Sequence, residues 1–101
     1  MKVPGFLLNQ SAEIEDYEGE DMYGPTYGEP YNVKCRAEFG HEMVRNQDGD
    51  EVVATVTFFF PPDVQPPPDS RITFDGEEFD VIEAKRQFGL RKPSHTEVVA
   101  K

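Results

Sequence analysis

The sequence predicts an all-β fold, a small antiparallel β-barrel of about six to seven short strands with long loops. Three observations predict it. Two segments alternate side chains with a period of two, as half-buried strands do. Asp48-Gly49 and Asp75-Gly76 stand between apolar runs, where a hairpin needs its turn. Helical spacing is nowhere sustained. The 101 residues are read as a single domain, with an acidic arm at residues 11–30.

Taken in order, "VPGFLL" at residues 3–8 reads as a short first strand. Residues 11–30, "SAEIEDYEGEDMYGPTYGEP", carry seven acids and no base and are broken by glycines and two prolines. A loop this long is functional or disordered. All four tyrosines, Tyr17, Tyr23, Tyr27 and Tyr31, lie in it or just beyond. It is either a solvated surface loop or an interaction arm whose anchors are those tyrosines and Ile14.

In "YNVKCRAEF", Tyr31, Val33, Cys35, Ala37 and Phe39 share one face. Residues 40–50 follow as a polar connection that turns at Asp48-Gly49. In "EVVATVTFFF", Val52, Ala54, Val56, Phe58 and Phe60 share a face, and the other face is itself partly apolar. That strand is expected to be central or covered on both sides. Pro61 and Pro62 cannot continue it, because proline lacks a ladder donor. Residues 61–69 are expected to cross stiffly, with polyproline character at residues 66–68. "RITFDGEEFDVIEA" reads as a second hairpin, with Phe79 and Val81 inward, Asp80 outward and a bulge near Ile82. "KRQFGLRKPS" reads as a basic loop and "HTEVVA" as a closing strand. The expected core is Val33, Cys35, Phe39, Val56, Phe58, Phe60, Ile72, Phe79 and Val81.

Net charge is −10, from 20 acids against 10 bases. That argues against a phosphate-tracking nucleic-acid binder, which needs a basic patch, and against a binder of anionic membranes. Cys35 stands alone, so an internal disulfide and a cysteine metal cluster are excluded, and an intracellular compartment is expected. The amino-terminal residues carry one lysine, a very short apolar stretch and then acids, unlike a secretory signal.

Catalysis has little support. His41 and His95 are far apart, and no nucleophile spacing is present. Cys35 reads as a buried structural thiol. The acidic run lacks the register and closing glutamate of a calcium loop. No cofactor and no metal are expected. Lys85, Arg86, Arg91 and Lys92 put four bases into eight residues, as a solvated loop or as a docking patch for an acidic surface.

The order of these features resembles the small head-to-tail stopper, or head-closure, proteins of long-tailed bacteriophages. The resemblance runs over roughly residues 31–100 and lies in strands and turns. Its elements are the hairpin at residues 45–53, the aromatic strand ending in proline at 58–62, the hairpin at 72–81 and the "HTEV" strand at 95–98. The acidic, tyrosine-rich first segment and the number of prolines in the crossing depart from the family pattern.

The resemblance implies a structural role without enzymatic activity. Stoppers form a ring beneath the portal and adaptor, hold packaged DNA in the filled head, and present the surface that a tail-completion or tail-terminator protein joins. It implies a virion-neck location after synthesis in the bacterial cytoplasm, six-fold rather than twelve-fold self-association, DNA nearby without sequence-specific binding, and no membrane. It also implies that the connection bearing His41, Glu42, Arg45, Gln47 and Asp48 can point into the ring channel; a plain hairpin turn is the other reading. The acidic arm is expected to be mobile in a monomer and ordered against a neighbour. Two other classes fit size and charge: a small acidic inhibitor that mimics DNA, and a tail-side neck or decoration protein with a related barrel.

Overall fold

The computed structural model describes residues 10–88 and 93–101, and the statements below concern those residues. They form eight strands: β1 Gln10–Glu15, β2 Tyr17–Asp21, β3 Gly24–Tyr27, β4 Tyr31–Arg45, β5 Glu51–Phe60, β6 Arg71–Phe74, β7 Glu77–Phe88 and β8 Pro93–Ala100. No helix occurs among the described residues. Six strands form one antiparallel sheet in the order β1-β4-β5-β8-β7-β6, and β2 and β3 form a separate pair. β1 bonds to β6 as well as to β4, so the order returns to its start.

The all-β expectation holds, but the strands are neither six or seven nor uniformly short. β4 has 15 residues, β5 has 10 and β7 has 12. The length has a cause. β4 pairs with β1 over residues 31–35 and with β5 from Arg36 onward. β7 pairs with β6 over residues 77–80 and with β8 from Val81 onward. A strand that changes partner midway must bend, and a bulge supplies the bend. The register shifts between Phe39 and Glu42 in β4, and between Val81 and Glu83 in β7. The second shift is the bulge expected near Ile82.

The core is a single cluster built around Phe58, which is fully buried. The rings of Phe60, Phe74 and Phe79 lie 5.8, 5.6 and 5.7 Å from it. Val56, Cys35, Ile72, Phe79 and Val81 are buried as expected, and half-buried Val33 packs against the cluster. Phe39 corrects the expectation: it is 63% exposed. It stands where β4 begins to shift register, and its ring meets Phe74 and Phe79 at 6.2 and 6.1 Å while most of its surface stays in solvent. Burial pushes the Cys35 thiol up to about 11, in keeping with a structural cysteine.

Three further expectations change. Residues 11–30 are no single loop, because β1 lies in the main sheet with Ala12 and Ile14 buried in the core. Residues 85–88, expected in a basic loop, belong to β7. Residues 61–70 form two turns around a short extended piece, rather than one stiff crossing. Val64 N–H donates to the Pro61 carbonyl at 3.0 Å, and Ser70 N–H to Pro67 at 3.1 Å. Pro62 and Pro68 take the position where a fixed φ favours a turn, and Asp69 follows Pro68 at φ 71°, as a type II turn requires. The Thr96 hydroxyl donates to the Pro62 carbonyl, and Asp69 N–H to Val81. Pro66 is fully buried and Val64 packs on the core, so the segment covers the core as well as crossing it. The strand expected at residues 3–8 lies outside the described residues.

Candidate functional site

The acidic segment beyond β1 folds back as the β2–β3 hairpin. None of its residues is buried, so area does not hold it. Directional contacts at its base do. Gly28 N–H donates to the Asp16 carbonyl at 2.9 Å. Tyr17 N–H donates to Ser70 Oγ at 2.9 Å, and the Tyr31 hydroxyl to Asp16 Oδ1 at 2.8 Å. Tyr17 and Tyr27 meet edge to face at 6.0 Å. The Arg71 guanidinium lies 4.4 Å over the Tyr27 ring and 3.6 Å from Glu15 Oε1. Burial, and then the hydrogen bond to Asp16, push the Tyr31 phenol well above its ordinary range.

The tip is different. Asp21 Oδ1 accepts from Tyr23 N–H at 2.8 Å, and Gly24 takes φ 115° to reverse the chain. Met22 and Tyr23 between them are 87% and 91% exposed. The proposed interface anchors therefore separate into three groups. Ile14 is a core residue, a correction to its place among contact anchors. Tyr17, Tyr27 and Tyr31 fasten the base, and Tyr23 alone reaches solvent at the tip.

The connection 40–50 also resolves into two parts. His41, Glu42 and Arg45 lie on β4, which corrects their placement in a loop; Gln47 and Asp48 are in the turn. Asn46 organises that turn. Its Oδ1 accepts from the N–H groups of Asp48 and Asp50, each at 3.0 Å. Arg45 closes it by donating to the Gly49 carbonyl at 2.7 Å, beside Glu51 at 3.5 Å. An asparagine two residues before Asp48-Gly49 was the available signal for this role.

The fold brings this turn beside the hairpin. A cleft of about 380 Å³ lies between them, with Tyr17 and Glu20 on one side, Gln47, Asp48 and Val52 on another, and Asp69, Asp80 and Lys101 completing it. Gln47 Nε2 lies 3.5 Å from Asp69 Oδ2 across it. Loss of solvent, and then the Glu20 and Asp69 carboxylates, push the Tyr17 phenol up. No spacing in the sequence joins residues 17, 48, 69, 80 and 101; only the sheet order does.

Two of the four bases lie on a strand, where a loop was expected. Lys85 is exposed on β7 opposite Glu97, and Arg86 is in β7 opposite Thr96. Arg91 and Lys92 lie outside the described residues. The outer sheet face instead carries a recess of about 340 Å³, where Glu38, Glu42, Glu83 and Glu97 surround Thr57, Phe59 and Val99 beside Lys85. The partly apolar second face of β5 was its signal. His95 is buried, with Nε2 3.5 Å from Glu97 Oε1 and its ring 5.7 Å from Phe59. Among the described residues no group of three or more His, Cys, Asp or Glu side chains is placed to hold a metal ion.

Comparison with known proteins adds no assignment: no protein-family model matches the sequence, and no curated protein matches it.

Proposed function

We propose that this protein is a structural component of the neck of a long-tailed bacteriophage, a head-to-tail stopper. In this reading the closed pairing order is a small barrel, and copies of it form a six-fold ring below the portal and adaptor. The ring retains packaged DNA and offers the tail its attachment surface. Support comes from the resemblance along residues 31–100, whose two hairpins and closing strand correspond to β4–β5, β6–β7 and β8.

One observation carries the reading furthest. The β2–β3 hairpin is fastened at its base, yet it holds Met22 and Tyr23 almost wholly in solvent. These side chains stabilise nothing within the subunit. Large apolar groups on a fixed projection are what an assembly contact uses. The carboxylates next to them in sequence, Glu20 and Asp21, repel other copies in free solution and favour docking only on a surface of opposite charge.

The test is a phage carrying Met22→Ser and Tyr23→Ser in this chain. The purified variant should melt as the parent does, while infected cells accumulate heads that have lost DNA or carry no tail. Images of parental virions should place the chain at the neck. A normal titre from the variant, or a location away from the neck, would overturn the proposal.

A further inference from the structure

An antiparallel sheet with one solvated face alternates apolar residues inside with polar ones outside. β5 departs from this in the middle of the sheet, where β4 pairs with it on one side and β8 on the other. Its outer face carries Thr57 and Phe59, both half-buried. Two rows of side chains cross four strands there. Glu38, Thr57, Val99 and Glu83 stand side by side on β4, β5, β8 and β7. Arg36, Phe59, Glu97 and Lys85 form the next row. The 340 Å³ recess has Thr57, Phe59, Val99 and Val44 in its lining, with Glu42 beside them. Glu42 and Glu83 each follow a register shift, one in β4 and one in β7. Bulges re-aim side chains and recur beside functional sites. Glu38 is held by Arg36 at 3.2 Å, and Glu97 lies 3.5 Å from His95. Among the described residues, Glu42 and Glu83 have no ion-pair partner.

We infer that this recess receives a lysine or arginine side chain of a partner protein. Its alkyl stem lies on Thr57, Phe59 and Val99, and its charged head lies between Glu42 and Glu83. The match is chemical. A long basic side chain is apolar along its stem and charged at its end. The recess is apolar on its floor and acidic at its rim. Four carboxylates line it against Lys85, with Arg36 beyond Glu38. Its volume is at the small end of ligand pockets, about 300–1,000 Å³, which suits one side chain rather than a broad surface. The chain makes the same kind of contact internally, where Arg71 lies over the Tyr27 ring and beside Glu15. A second copy of this chain, at net charge −10, is repelled at long range. The inference concerns the outer face of the sheet and stands whether or not the protein belongs to a virion neck.

The probe is a capped peptide of alternating valine and arginine, titrated into the full chain and followed by nuclear magnetic resonance. Signals of Thr57, Phe59, Glu83 and Val99 should shift. A soluble paramagnetic agent should broaden Thr57 and Val99 in the free chain and broaden them less when peptide is bound. The peptide with citrulline for arginine, similar in shape but neutral, should bind more weakly. Glu42→Gln and Glu83→Gln should each weaken binding about 1.5- to 5-fold, the range of exposed ion pairs. Asp48→Asn, in the other cleft, should leave it unchanged. No shift of these signals at millimolar peptide would overturn the inference. So would equal binding by the citrulline peptide, or an Asp48→Asn effect as large as that of Glu83→Gln. Full shielding of Thr57 and Val99 in the free chain, or self-association through this face, would also overturn it.

Discussion

The β6–β7 and β2–β3 hairpins are built on opposite principles. The first turns at Asp75-Gly76, with φ 53° and 81°, the pair of positive values that suits the twist of a two-residue hairpin. Its strands send Ile72, Phe74, Phe79 and Val81 into the core. The second has no fully buried residue and is held by a cation–π contact from Arg71, an edge-to-face ring pair and a few hydrogen bonds. One is fixed by area, the other by direction. A hairpin fixed by direction keeps its side chains available for something outside the chain.

The comparison can be broken most directly at Ile72. Ile72→Ala should cost about 2–5 kcal/mol, as for other buried aliphatic truncations, seen as a large fall in melting temperature. A fall no larger than that of Arg71→Ala would end the distinction. Gly76→Ala should cost about 1–2 kcal/mol, because an L side chain at φ 81° is strained although the space is open.

Arg71→Ala should cost about 1 kcal/mol through the lost ring and carboxylate contacts. Amide exchange should rise at Tyr17 and Tyr27 while the core amides hold. Tyr31 sharpens the same point through pH. Its folded phenol ionises above the unfolded value of about 10. Its contribution is therefore complete below pH 10 and lost as pH rises through the folded value. Denaturation followed from pH 9 to 12 should show this loss in the parent, and less of it in Tyr31→Phe. The smallest effect belongs to the tip: Met22→Ala with Tyr23→Ala should move stability by no more than about 0.5 kcal/mol.

Legibility followed the density of apolar residues. β5 was readable because four buried residues, Ala54, Val56, Phe58 and Phe60, alternate without interruption, and the β6–β7 hairpin because Ile72, Phe74, Phe79 and Val81 flank an Asp-Gly turn. β1 was not. It alternates too, but only Ala12 and Ile14 point inward, between Glu13 and Glu15, and the charge count concealed the period. β4 was read to Phe39 and then lost, because the bulge between Phe39 and Glu42 breaks the alternation that would have extended it to Arg45. Of the site, the tyrosines and the Asp48-Gly49 turn were visible, whereas the cleft depends on pairings between distant segments.

The β1–β6 seam has a consequence for the order of events during synthesis. Residues 10–15 emerge from the ribosome early, and their second partner, residues 71–74, emerges late; the seam's neighbours Tyr17 and Ser70 are 53 residues apart. Contacts this distant in sequence are slow to form. Meanwhile β1 is a strand with an open side. Glu13 and Glu15, the residues that hid it from a sequence reader, also guard it from other chains, because charge on an unpaired strand opposes wrong pairing. When β6 arrives, Arg71 comes into register with Glu15, and the guard becomes half of an ion pair.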